Sequence, residues 1–183
     1  MRKRLLMILG MVCLFLFMSS VARAEKLSVP ACGFIAQGHQ AEQLQMPLSM
    51  GNYIYRKDTT EAIFYTPVYL PQGSIIKWIR VHVIDNDSTY DIQGALFRGN
   101  KYTGAGNMIY FVQTSGASSS VRHFTDTSPS PPAQTLVNND VCTYWVGIAF
   151  GAGPSGLDRR VYGVTIYSHI PHIKLKIHFT NPP

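Results

Sequence analysis

Beyond residue 24 the apolar positions recur with period two rather than 3.6, a pattern that predicts strands and not helices. The clearest alternation runs from Ser74 to Ile84. It puts Ile75, Ile79, Val81 and Val83 on one face and Trp78, Arg80 and His82 on the other. Further strands are predicted over Ile92 to Arg98, Met108 to Gln113, Val121 to Thr125, Tyr144 to Phe150, Val161 to Tyr167 and Ile173 to Phe179. Earlier strands are predicted over Leu27 to Val29 and Ile63 to Tyr69. Met108, Tyr110 and Val112 should share a face, as should Tyr162, Val164 and Ile166.

The separators carry turn chemistry: Leu70-Pro71-Gln72-Gly73, Asp85-Asn86-Asp87-Ser88, Thr103-Gly104-Ala105-Gly106-Asn107 and Asn138-Asn139-Asp140. Ser128-Pro129-Ser130-Pro131-Pro132 excludes helix and central strand alike. Only Gln37 to Gln45 has room for a helical turn. Many short strands at this spacing predict an all-β chain, a single antiparallel β-sandwich of jelly-roll type with eight or nine strands.

The first 24 residues follow a different rule. Arg2-Lys3-Arg4 precedes an apolar run from Leu5 to Met18, and Val21-Ala22-Arg23-Ala24 ends it in Ala-x-Ala form. This is the pattern of a secretory signal peptide cleaved after Ala24, leaving residues 25–183 as one β-sandwich domain. The apolar run falls short of the roughly 20 residues a membrane span needs. Cys13 is not a lipidation site, because it lies inside that run behind Val12. The expected location is exported, periplasmic or extracellular. Charge changes meaning with this division. The chain carries a formal +6, but without the leader 12 Lys and Arg face 10 Asp and Glu. No basic stripe remains to neutralise phosphates, so nucleic acid is excluded as a partner.

Candidate chemistry is sparse. Cys32 and Cys142 remain after cleavage, and an oxidising compartment suggests one disulfide, worth about 4–5 kcal/mol by chain entropy; the alternative is two separate thiols. Asp85, Asp87 and Asp91 form the best group of hard oxygen ligands and a candidate calcium site. Tyr90 and Leu96 stand where an EF-hand needs Gly and Glu, so the alternatives are a looser calcium site or an Asx turn. Gly151-Ala152-Gly153-Pro154-Ser155-Gly156 spells G-x-G-x-x-G, but a strand follows it instead of a helix, which reads as a connecting loop. His169, His172 and His178 crowd the C-terminus without metal-ligand spacing. No nucleophile elbow is present, and no enzyme is predicted.

The aromatic residues offer more. Trp78 and Trp145 fall opposite the apolar faces of their strands, as candidate ligand-contact aromatics. Tyr53, Tyr55, Tyr65, Tyr69 and Tyr102 are further candidates for exposure. The last strand, residues 173–179, carries Lys174 and Lys176 on its outer side; it either closes its own sheet or pairs with a neighbouring molecule.

Several segments in order resemble a group of bacterial secreted β-sandwich domains without an established activity. They are Ser28-Val29-Pro30-Ala31-Cys32-Gly33-Phe34, then Thr66 to Gly73 ending Leu-Pro-x-Gly, then Ile84-Asp85-Asn86-Asp87, then Ala95-Leu96-Phe97-Arg98, then Tyr162-Gly163-Val164-Thr165-Ile166-Tyr167. The resemblance spans residues 27 to 167 and implies fold and export, with no catalytic residues to transfer. The expected role is a non-catalytic structural or interaction module at the cell envelope or outside the cell. The alternative is a carbohydrate-binding module that holds polysaccharide on exposed aromatics, with calcium as a stabiliser.

Overall fold

The structure is a computed structural model that describes residues 24–37, 53–56, 60–153 and 156–171. Ten strands are formed among these residues: β1 (Ala24–Pro30), β2 (Ile35–Ala36), β3 (Ile54–Tyr55), β4 (Ala62–Val68), β5 (Ile75–Asp85), β6 (Ile92–Asn100), β7 (Gly106–Gln113), β8 (Ser118–Asp126), β9 (Cys142–Phe150) and β10 (Arg159–His169). Single 3-10 turns occupy Ala31–Gly33 and Pro132–Thr135. No described helix is long and apolar enough to cross a membrane.

The strands make two antiparallel sheets. One has the order β1-β10-β5-β8, with β3 also paired to β10; the other has the order β2-β4-β9-β6-β7. Packed face to face, they form the all-β jelly-roll-like sandwich that the alternation predicts. Ile76, Ile79, Val81, Val83, Val161, Val164 and Ile166 from the first sheet meet Phe64, Leu96, Tyr144, Val146, Ile148 and Phe150 from the second. Tyr110 is buried in this core, and its hydroxyl donates to the Ile76 carbonyl at 2.9 Å. Burial, with repulsion from Asp126, pushes that phenol up to about 12.

Strand bounds lie within a few residues of the expected ones, but three bulges move side chains between faces. On β5 the register against β10 slips between Trp78 and Ile76, so Ile76 is buried where Ile75 was expected. On β10 it slips between Val161 and Gly163, which turns Tyr162 outward, away from Val164 and Ile166. On β7 the slip against Leu96 and Phe97 buries Ile109 and leaves Met108 exposed. The count exceeds eight or nine because β2 and β3 are two-residue strands too short to show a period. Residues 1–23 of the expected leader, the expected helical turn beyond Gln37 and the expected strand 173–179 lie outside the described residues, while Ala24 opens β1.

Candidate functional site

Because side chains alternate along each strand, burying Phe64, Val146 and Leu96 obliges their neighbours to face away from the core. The outward residues of β4, β9 and β6 line up in register. Pro67 pairs with Trp145 and Trp145 with Phe97; Tyr65 pairs with Gly147 and Gly147 with Ala95. Ala95 continues to Phe111 on β7, and Ile35 on β2 extends the row beyond Tyr65. The second row is thus large at its ends and small at its centre. The result is a trough of about 710 Å³ lined by Gln37, Ile63, Tyr65, Pro67, Phe97, Thr143 and Trp145. A further 250 Å³ continues past Ile63 and Phe97 toward Met108 and Phe111. That size lies within the usual range for ligand clefts.

Two glycines set the geometry of its wall. A Cβ at Gly99 would lie 2.7 Å from Trp145 Cζ3, so only glycine lets the indole lie over the strand at that point. A Cβ at Gly147 would lie 3.1 Å from Phe97 Cε2, and its lack gives Phe97 room to lean in. The two rings stack with centroids 5.5 Å apart and planes 11° from parallel. Polar groups at the trough are neutral: Gln37, Gln93, Thr143 and the Tyr65 phenol. Among the described residues, no lining residue is charged.

Trp78 lies on the opposite outer face, so the two tryptophans belong to different surfaces. Its ring stacks on Tyr167 at 5.2 Å, and the Arg80 guanidinium lies over it at 5.0 Å. Tyr69 and Tyr102 are 88% and 79% exposed but lie off the trough; Tyr53 is buried, and Tyr65 alone of the five lines it. Phe97, Gly147 and Phe111 were not singled out from sequence. Their signal is the apolar residue on the side of a strand that the core does not need, at Ile63, Tyr65 and Pro67, and again at Ala95 and Phe97.

The disulfide expectation is corrected: Cys32 and Cys142 are not bonded to each other. Cys142 is buried at the start of β9, where its Sγ accepts from Arg98 Nε at 2.9 Å. Cys32 is exposed on the 3-10 turn, beside Gly33, whose Cβ position neighbours Thr66. Thr66 pairs with Val146, four residues along β9 from Cys142, or about 13 Å. A disulfide needs Cα atoms within about 7 Å.

Of the candidate calcium ligands, Asp85 and Asp91 meet at the Thr114 hydroxyl, but no group of three residues placed to hold a metal ion exists among the described residues. Asp85 is buried and accepts from the Thr114 hydroxyl and the Asp87 amide. Burial raises its pKa, and the Asp91 charge adds to that, against the lowering effect of these hydrogen bonds. Asp87 Oδ1 accepts from the amides of Thr89 (2.8 Å) and Tyr90 (3.1 Å), an Asx turn, and its Oδ2 lies 3.8 Å from Arg159 Nε. Asp91 accepts from Gln113 Nε2 at 2.6 Å. With these oxygens engaged, millimolar calcium is expected to leave Tm unchanged against EDTA; a rise of several degrees would contradict this arrangement.

The glycine-rich segment crosses between sheets, from β9 to β10, rather than joining neighbours in one sheet. Its carbonyls accept from buried arginines, Gly151 from Arg56 (2.6 Å) and Arg159 (3.2 Å), and Gly153 from Arg56. A loop that turns its carbonyls inward in this way is no phosphate cradle. His172 and His178 lie outside the described residues; His169 ends β10 opposite Ala24 and Ile75.

His82 faces outward on β5, 3.0 Å from Thr165 Oγ1, with His123 directly across on β8. Burial first, then the charges of His123 and Arg80, lowers its pKa below the usual 6.5. The fold thus prefers the neutral ring, and the stability this gives is present above pH 6.5 and lost as pH falls below it. The Tm gap between wild type and His82→Gln is expected to shift against wild type from pH 7 to pH 5. A gap constant across that interval would contradict the assignment.

No protein-family model and no curated protein matches the sequence. The resemblance to secreted sandwich domains therefore rests on motif order alone. Solved structures do match. The C-terminal CBM6 of LamC, a marine laminarinase from Zobellia galactanivorans, aligns with a TM-score of 0.50 at 12% identity, over 78% of this chain and 98% of that one. A xylan-binding module, CBM15, aligns with a TM-score of 0.49 at 12% identity, over 79% and 97%. A β-1,3-glucan binding CBM6 from Bacillus halodurans aligns at 0.42 and 13%, over 78% and 94%. At such identities the LamC match shows the fold alone: the chain resembles carbohydrate-binding-module β-sandwiches.

Proposed function

We propose that this chain is an exported, non-catalytic polysaccharide-binding β-sandwich whose ligand lies in the trough across β4, β9 and β6. The observation that carries this reading is the trough itself, an open apolar channel walled by stacked Trp145 and Phe97 with small residues at its floor. Sugar rings present apolar C–H faces to aromatic planes and hydroxyls to neutral amides and phenols, which this lining supplies. Fold alone does not assign function, so the site bears the weight. The neutral lining favours an uncharged glycan. It also supports binding rather than hydrolysis, since glycosidic cleavage calls for a pair of carboxyl groups. The signal-like leader supplies export, with residues 25–183 as the working domain.

The experiment is native electrophoresis through gels containing β-1,3-glucan or xylan, the glycans named for fold neighbours. Wild type is expected to be retarded by at least one. Tyr65→Ala, which removes a ring already 40% exposed, is expected to weaken retardation several-fold with little change in Tm. Retention should persist from low to high salt, because the described lining residues carry no charge to be screened. Free passage through every neutral glycan would overturn the reading.

A role as a structural or interaction module through the strand 173–179 is a separate reading, and that segment lies outside the described residues.

A further inference from the structure

The outer face of the β1-β10-β5-β8 sheet has a chemistry opposite to that of the trough. Its outward register positions hold Lys26 on β1, Arg160 and His169 on β10, Arg80 and His82 on β5, and His123 on β8. No carboxylate occupies an outward position on these four strands: Glu25 shares its register with buried Ser168, Asp126 with buried Ile79, and Asp85 is itself buried. Arg80 is the most organised of the group. Its Nε donates to Thr125 Oγ1 at 2.8 Å, and its guanidinium lies over Trp78, which is stacked in turn on Tyr167. Its two Nη groups donate to no partner among the described residues, so the fork is held rigid and left open. Ser28 and Thr165, both hydroxyl-bearing, are register partners in the row that contains Arg80. Ser28, Thr165, Val121 and His82 also border an open hollow of about 620 Å³ on this face.

We infer that this face is a second glycan site, which takes a carboxylate-bearing polysaccharide with the sugar carboxylate on the open fork of Arg80. A planar guanidinium matches a carboxylate in bidentate geometry. The face offers cations for the acid and hydroxyls for the neighbouring ring oxygens. Burial is the first cause of the lowered pKa of His82, and the charges of His123 and Arg80 on this face add to it. The inference rests on the proposed function only for the choice of a glycan as bearer of the charge; the two faces share no residue.

The test is electrophoresis of the full processed chain, at low salt, through polygalacturonate, through its fully methyl-esterified form and through neutral β-glucan. Wild type is expected to bind polygalacturonate, to lose at least tenfold on esterification, and to weaken steeply with salt. Arg80→Gln should weaken polygalacturonate binding about tenfold and leave neutral-glucan retention untouched, while Trp145→Ala should do the reverse. Lys26→Gln, an exposed edge position, should lose two- to threefold and serves if Arg80→Gln lowers Tm. Equal binding of the ester overturns the inference, as does full retention in both Arg80→Gln and Lys26→Gln. Loss of polygalacturonate binding in Trp145→Ala would also overturn it. Polyglutamate bound as tightly as polygalacturonate would overturn the glycan assignment. Failure of neutral-glucan binding alone would count against the trough and not against this face.

Discussion

Trp145→Ala is expected to weaken neutral-glycan binding about 30-fold, the roughly 2 kcal/mol typical of a central tryptophan anchor. The indole forms the wall of the trough and keeps Phe97 parallel to it, so its removal takes away one stacking plane and frees the other. The side chain lies on the outer face and is only half-buried, so the core should remain intact. Isothermal titration against the best-retained glycan measures the loss. Trp78→Ala, on the other sheet, should leave that affinity unchanged. An unchanged Kd in Trp145→Ala would remove the trough from consideration.

Phe64→Ala should be the most damaging single truncation of the core, at about 3–5 kcal/mol. Phe64 is fully buried on the inner side of β4 and meets Phe150 edge to face at 5.7 Å. The two rings join β4 to β9 on the side opposite Tyr65 and Gly147, so the cavity left would lie directly beneath the trough. At 2–4 °C per kcal/mol for a chain of this size, Tm should fall by about 6–20 °C. A loss under about 1 kcal/mol would mean that this side of β4 does not face a packed second sheet.

Period-two alternation carried most of the architecture, because a sandwich strand must show one face to the core and the other to solvent. It carried the faces less well. Ile75, Met108 and Tyr162 each sit beside a bulge, and one extra residue in one strand reverses the alternation without any mark in the hydrophobic pattern. Strand partners were not legible at all. That Trp145 lies between Pro67 and Phe97 depends on β9 entering the sheet between β4 and β6, from far along the chain. So the tryptophan could be named, while the trough around it could not. Chemical type also misled where geometry decides. Two cysteines in a chain expected to be exported suggested a bridge, yet they fall at different heights on the sandwich. Three aspartates within seven residues suggested a cation site, yet their oxygens are taken up by protein donors: the Thr114 hydroxyl lies against Asp85 and Asp91, the Thr89 and Tyr90 amides against Asp87, and Gln113 against Asp91.

The chain has only two tryptophans, one on each outer face, which makes their emission a direct reporter of where glycan lies. In Trp78→Phe the remaining signal comes from Trp145, and titration with neutral β-glucan or xylan should shift it saturably at the wild-type affinity. In Trp145→Phe the signal comes from Trp78 and should stay flat over the same range. A shift carried by Trp78 instead, or by neither residue while the glycan is bound, would contradict the placement of the ligand in the trough.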